Sequence, residues 1–175
     1  MRGKILLVSK VLDSITKKMN GISCILLAVI TLFILVEIIA RRFFNYGFHF
    51  ILEVNTYMLA AAWFLSAAYT LRTDGHIRVN ILTGIVKSDL AIRILDIVAT
   101  VIGLLICIVF FQAVFQIFWD SYTLKRVSYS ALRAPLYIPQ FFIMFGMGVM
   151  LLQMIMRLVL LIINEPPDID LKSKK

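Results

Sequence analysis

Charge is scarce in this sequence. Only 16% of its 175 residues are Asp, Glu, Lys or Arg, whereas 61% are apolar, and the mean hydropathy is +0.94. A soluble domain of this size could not cover so much apolar side chain with so few charges. The charges lie at the ends of apolar blocks, which argues against a nucleic-acid partner despite the net charge of +8. The composition therefore predicts an integral membrane protein.

Cysteine and histidine are also rare, which excludes several kinds of site. Cys24 and Cys107 are single residues within apolar stretches, so no disulfide framework or thiol redox pair is predicted. His49 and His76 lie between the apolar blocks, where they cannot hold a haem between spans. No Ser-His-acid set, Walker loop or HExxH motif is present. The sequence therefore predicts no enzyme activity, no cofactor and no metal site.

Four apolar blocks have the length that a membrane span requires. About 20 helical residues cross the ~30 Å hydrocarbon core. The predicted spans are residues 22–40, 54–71, 97–119 and 134–156, and Glu37 is the only charge within the first three. Pro135 and Pro139 open the fourth, as suits a first helical turn or a bend. None of the blocks alternates like a barrel strand. We expect an all-α integral membrane protein with four transmembrane helices in one membrane domain.

Amphipathic segments are predicted outside the spans. Apolar residues recur at helical spacing among lysines within residues 1–18, which favours a helix lying on an anionic membrane surface over a solvated tail. A short amphipathic arm is predicted near residues 81–89, between spans two and three. Residues 164–175 are predicted to form a tail.

The distribution of basic residues predicts the orientation. The amino-terminal segment, the loop after span two and the carboxy-terminal segment together carry thirteen Lys and Arg residues, against five in the other two loops. Positive residues accumulate on the cytoplasmic side. Both termini are therefore predicted in the cytoplasm, with the chain in a bacterial inner membrane.

Polar and small residues inside the spans suggest protein contacts. Glu37 lies four residues before Arg41, which predicts a structural ion pair, with a proton-coupling carboxylate as the alternative. A further set is predicted to pack against a second protein: Asn55, Ala62, Trp63, Ser66, Tyr69, Gln112, Gln116 and Gln153. Packing within a monomer is the alternative. No span carries the central row of charges expected of a transport path.

One ordered set of residues carries a family resemblance. It comprises Arg42, Asn45, Glu53, Tyr57, Trp63, Arg72 and His76. This set, within Ala40 to Leu82, resembles the small membrane subunit of TRAP (tripartite ATP-independent periplasmic) transporters, and the length and span count fit along the whole chain. The sequence departs from the family pattern at Ser66, often glycine, and at Asn80, often acidic.

The resemblance implies partners rather than a self-contained activity. In that family a large multi-span, elevator-type subunit binds substrate and sodium, and a soluble periplasmic protein captures a carboxylate such as a dicarboxylate or a sialic acid. The small subunit is thought to brace the large one, surrounded by membrane lipids. A stand-alone, oligomeric four-span exporter of the small multidrug resistance type is the alternative. Those chains are shorter and many have a weaker charge bias.

Three basic residues lie on the side where the charge rule disfavours them. They are Lys125, Arg126 and Arg133. Two interpretations stay open: interfacial anchoring of spans three and four, and a docking surface for the periplasmic binding protein.

Overall fold

The structure is a computed structural model that describes residues 2–45, 47–73, 89–130 and 132–163. These residues form four α-helices: α1 (Arg2–Phe44), α2 (His49–Arg72), α3 (Asp89–Thr123) and α4 (Tyr137–Ile162). Each contains a segment long and apolar enough to cross a membrane, which confirms the four predicted spans. The predicted arm near 81–89, apart from Asp89 at the start of α3, lies outside the described residues, as do the tail at 164–175 and His76.

The first helix is longer than predicted. Residues 2–44 form one uninterrupted helix of 43 residues, or ~65 Å at 1.5 Å per residue, about twice the hydrocarbon thickness. The amino-terminal helix predicted as a separate element over residues 1–18 is therefore joined to span one. Its contact with a membrane surface stays a prediction.

Local backbone chemistry sets the helix boundaries. Asn45 has φ 51° directly after α1, the left-handed conformation that commonly ends a helix and that asparagine adopts more readily than most residues. Pro139 lies in the first turn of α4, where its missing N–H costs no helical hydrogen bond. Pro135 lies just before that helix, in an antiparallel bridge to Val127. Span four thus begins three residues later than predicted.

The helices pack in a row rather than a closed bundle. Within the described residues, α1 packs on α2, α2 on α4 and α4 on α3, while α1 meets α4 only marginally. Burial follows this order: 39% of the span in α4 is buried, against 11% in the end helices α1 and α3. Long faces of α1 and α3 are consequently free of contacts with the rest of the described chain.

Small residues allow the helices to approach closely. On α1 the buried positions Ser9, Thr16 and Ser23 are seven residues apart, so they form one stripe. Thr16 and Ser23 donate their hydroxyls to backbone carbonyls of their own helix, which satisfies these polar groups without enlarging the contact face. The core where α1, α2 and α4 meet comprises Met19, Leu65, Ala68 and Val149.

Gly146 of α4 lies directly against the backbone of α2. A Cβ added at Gly146 would lie 2.6 Å from the carbonyl carbon and oxygen of Phe64, and neither atom can move away independently of α2. Only glycine fits this crossing.

We predict that Gly146→Leu separates α2 from α4. Overpacking usually costs about 1–3 kcal/mol, and a backbone contact gives less room to relax than a side chain does. Denaturant titration of the purified chain in detergent would measure the loss. Gly21→Leu is the matched control, since a Cβ at Gly21 meets no atom within 4 Å. Equal stability of the two variants would contradict the proposed close approach.

Candidate functional site

A buried polar cluster joins α1, α2 and α4 near one end of the row. Arg72, the last residue of α2, donates from Nε to Asp13 Oδ1 (2.8 Å) and from Nη2 to Asp13 Oδ2 (3.2 Å). The same Nη2 donates to Ser9 Oγ at 2.9 Å. Gln153 of α4 donates from Nε2 to Asp13 Oδ1 at 3.1 Å. One carboxylate therefore receives donors from two other helices.

Because this cluster is buried, its charged groups have to be paired with each other. The side chain of Arg72 is 9% exposed and that of Asp13 is 18% exposed. Charges removed from water are costly unless they are paired and fully hydrogen-bonded, and a bidentate Arg–carboxylate contact is the geometry that best meets this need. Arg157 is buried one turn beyond Gln153 on the same face of α4. The cluster therefore fixes the relative register of three helices.

A second polar contact lies further along the same two helices. The Ser66 hydroxyl of α2 donates to Asn20 Oδ1 of α1 at 2.7 Å. Ala62, one turn earlier on α2, is 1% exposed, and Gln153 is equally buried. These three residues, predicted to contact a second protein, lie against neighbouring helices of the same chain in the structure, which is the stated alternative. The physical reason is that an inner helix places its small and polar positions against its own neighbours.

Other residues of the predicted partner set face outward. Trp63 is 72% exposed at mid-span of α2, and Gln112 and Gln116 are exposed on α3. Asn55 and Tyr69 are half-buried. Within the described part of the chain, neither glutamine has a side-chain hydrogen bond, so these outward residues are the ones available to a partner.

The two α3 glutamines point away from the rest of the protein. Thr100, Cys107 and Ser121 are buried, seven and then fourteen residues apart, on the face of α3 toward α4, and the half-buried Val114 fills the gap in that stripe. Gln112 and Gln116 each lie two residues from Val114, ~160° around the helix. Asp120 follows one turn later and is also exposed. A polar strip thus runs along the outer face of an end helix.

At the opposite end from Asp13, Glu53 connects α2 to the α3–α4 loop (residues 124–136). Tyr57 donates to Glu53 Oε1 at 2.6 Å, and the Ser130 hydroxyl donates to Glu53 Oε2. The loop is folded on itself: Ser128 N donates to Ala134 O at 2.9 Å, and Leu136 N donates to Arg126 O at 3.1 Å. Glu53 therefore holds an ordered loop against the start of α2.

This loop displays the three predicted docking residues. Lys125, Arg126 and Arg133 are all exposed. Lys125 and Arg133 have φ of 48° and 46°, a conformation that non-glycine residues adopt at tight turns. The turns therefore bring three cationic side chains onto one short, hydrogen-bonded loop.

The remaining predicted residues gather where α1 ends and α2 begins. Glu37 accepts a hydrogen bond from Arg41 Nη2, so the predicted ion pair is present in the structure. Arg42 is exposed beside it, and Asn45 ends the helix. In the four described ranges, no group of three His, Cys, Asp or Glu side chains could hold a metal ion.

Comparison with known proteins decides the family. The family model described as "Tripartite ATP-independent periplasmic transporters, DctQ component" matches residues 30–164, well over half of the chain. The chain belongs to the DctQ family. No curated protein and no solved structure matches it significantly. DctQ membership confirms the resemblance to a TRAP transporter small subunit and makes the chain a membrane transporter component.

The structure gives several DctQ motif residues a physical role. Asn45 ends α1, Glu53 and Tyr57 hold the α3–α4 loop, and Arg72 binds Asp13. Trp63 alone among the described motif residues projects from mid-span with its side chain exposed. The motif therefore consists mostly of residues that shape this subunit.

Sequence reasoning missed the partners of these motif residues. Asp13 is one acid within a strongly basic segment, and Ser130 lies in a loop 77 residues from Glu53. Local spacing gives no signal for contacts so distant. The one signal in the sequence was Arg72 itself. Burying its charge costs free energy unless a carboxylate from another helix pairs with it.

We predict that Asp13→Asn destabilises the DctQ chain and that the loss is not additive with Arg72→Gln. Breaking one partner of a buried ion pair costs about 3–5 kcal/mol because the other charge is left uncompensated. A double-mutant cycle by denaturant titration would measure the coupling. Glu37→Gln with Arg41→Gln is the control pair, since both residues lie on α1 and their ion pair joins no second helix. Additive losses at Asp13 and Arg72 would contradict the cluster.

Proposed function

We propose that this DctQ chain braces the large carrier subunit of a sodium-driven TRAP transporter and helps to dock its periplasmic substrate-binding protein during carboxylate uptake. TRAP systems pair a small subunit with a large permease and a substrate-binding protein, so partnership is what the family implies. The stand-alone exporter is set aside because DctQ proteins are components of a larger transporter.

The single observation that carries the bracing proposal is the polar outer face of α3. Gln112 and Gln116 lie on an end helix, on the side opposite α4, the helix on which α3 packs. Amides facing hydrocarbon would lack partners, at a cost of several kcal/mol. Facing a second membrane protein, they can hydrogen-bond across the contact. The large subunit is the membrane partner that the family implies, so we assign this contact to it.

An open row suits a brace mechanically. A carrier that moves one domain through the bilayer needs a scaffold that does not move with it. Helices placed side by side widen the footprint of such a scaffold more than the same helices in a closed bundle. The Asp13 cluster and the Gly146 crossing keep the row from shearing. The brace would thus act through shape and stiffness, without a transport path of its own.

We predict that Gln112→Leu combined with Gln116→Leu weakens association with the large subunit while leaving the chain folded. Leucine suits hydrocarbon, so the change costs no stability on a free face, but it removes the amides from a protein contact. Co-purification in mild detergent would report the loss. Val109→Leu, on an exposed apolar position of the same helix, is the control. If the double variant co-purifies like the control, the α3 face contacts lipid.

The basic α3–α4 loop is proposed to steer the substrate-binding protein. Its three cations are exposed on a loop whose shape depends on Glu53 and Ser130. Exposed charges at an interface rim act mainly on association rate, and salt screens them over ~8 Å at physiological ionic strength. An acidic face on the substrate-loaded protein would be the complementary surface. The orientation predicted from the charge bias, with both termini cytoplasmic, places this loop on the periplasmic side.

We predict that reversing Lys125 and Arg126 to Glu slows uptake at limiting binding protein. Excess binding protein should restore most of the rate, because the change lowers the encounter rate and leaves the transport step intact. Uptake in liposomes containing both membrane subunits would test this at low and high salt. Reversal of Lys17 and Lys18, which are exposed on α1, is the control for net charge. Unchanged uptake at low salt would place docking elsewhere.

A further inference from the structure

An open cleft separates α1 from α2 near the short connection between them. Its volume is about 700 Å³, within the range of ligand-sized pockets. The walls are aliphatic side chains from both helices: Ile30, Ile34, Ile38, Leu52 and Leu59. The two helices are held together by polar contacts at the Asp13 end, and the cleft lies where no such contact joins them.

The mouth of the cleft carries net positive charge. Glu37, Arg41 and Arg42 all line it. Glu37 is neutralised by its ion pair with Arg41. No carboxylate in the described part of the chain pairs with Arg42, whose side chain is exposed. One guanidinium is therefore available to an anion beside an apolar space.

Asn55 of α2 also lines the cleft. Its Oδ1 has no hydrogen-bond partner among the described residues, but this atom is enclosed, so it is not a contact for a molecule in the cleft. Thr56, beside it, donates its hydroxyl to its own helix at Leu52 O (2.8 Å). The group that the cleft offers to an anion is therefore the Arg42 guanidinium.

We propose that this cleft binds one anionic phospholipid. The aliphatic walls suit acyl chains, and Arg42 suits the phosphate. Arginine binds phosphate oxygens with paired N–H donors, and basic pockets between transmembrane helices select anionic headgroups. An amphiphile matches both features, whereas a free phosphate matches only the arginine. The site lies on α1 and α2, apart from the α3 face proposed for the large subunit.

Lipid retention by the full chain in nanodiscs, followed by native mass spectrometry, tests the proposal. The probes are palmitoyl-oleoyl phosphatidylglycerol and the zwitterionic phosphatidylcholine with the same chains. We expect the phosphatidylglycerol to be retained preferentially. Arg42→Gln should weaken that retention about fivefold, the weight of one basic residue near an anionic surface, while Arg42→Lys should weaken it less. Arg126→Gln, an equal loss of charge on the exposed α3–α4 loop, should have no effect.

A second variant tests the apolar part of the site independently of charge. Ile34→Trp should fill the cleft and lower retention of both lipids, whereas Ile25→Trp, at an exposed α1 position outside the cleft, should not. Equal retention of the two lipids, unchanged by Arg42→Gln, would identify ordinary surrounding lipid and overturn the proposal. Loss of the bound lipid when the large subunit is added would also overturn it, since the cleft would then be a protein contact. Circular dichroism checks that each variant remains helical.

Discussion

The Asp13 carboxylate is the contact on which the arrangement of three helices depends. It accepts hydrogen bonds from Arg72 of α2 and from Gln153 of α4. In a membrane the hydrophobic effect does little to bring helices together, because lipid chains are as apolar as the side chains they would replace. Close packing and polar contacts have to supply the association. The Gly146 crossing and the Asp13 cluster provide one of each, and together they set both the spacing and the register of the row.

The polar contacts that join α1 to α2 at one end also determine the space between the two helices at the other end. The Asp13 and Ser66 contacts both lie toward the amino-terminal half of α1. Beyond them the buried stripe of α1 ends at Ile30, and the cleft begins with that same residue. The short connection through Asn45 keeps the helices from separating further. A polar cluster at one end and a lipid-sized space at the other are therefore two consequences of a single pairing.

The sequence was enough to predict which segments form helices, but not which helices pack against each other. Run length and charge-free blocks predicted all four spans, and the i,i+4 spacing predicted Glu37 with Arg41. The order α1–α2–α4–α3 leaves no trace in periodicity, because each helix has polar positions on more than one face. Gln153 and Gln112 illustrate the limit. The glutamine side chain at position 153, on the inner helix α4, is 1% exposed, whereas the glutamine side chain at position 112, on the end helix α3, is exposed. Spacing along one helix cannot distinguish these cases, so the predicted partner set mixed inward and outward residues. Likewise Arg72 and Arg157, counted among the thirteen basic residues that predict the orientation, are buried within the row.

The attachment of α3 explains how an outer face can serve a partner without disturbing the core. Arg93, near the start of α3, donates from Nη2 to the carbonyls of Leu161 (2.9 Å) and Ile162 (3.1 Å), which satisfies acceptors left open at the end of α4. At the other end Tyr122 packs edge-on against Tyr137, with ring centroids 5.8 Å apart. Both ends of α3 are thus fixed to one neighbour. Since the stripe that faces α4 uses Thr100, Cys107 and Ser121, the opposite strip contributes nothing to this contact. The proposed contact with the large subunit therefore uses glutamines on which the α3–α4 contact does not depend. A row of helices, unlike a closed bundle, leaves such a strip exposed at its edge.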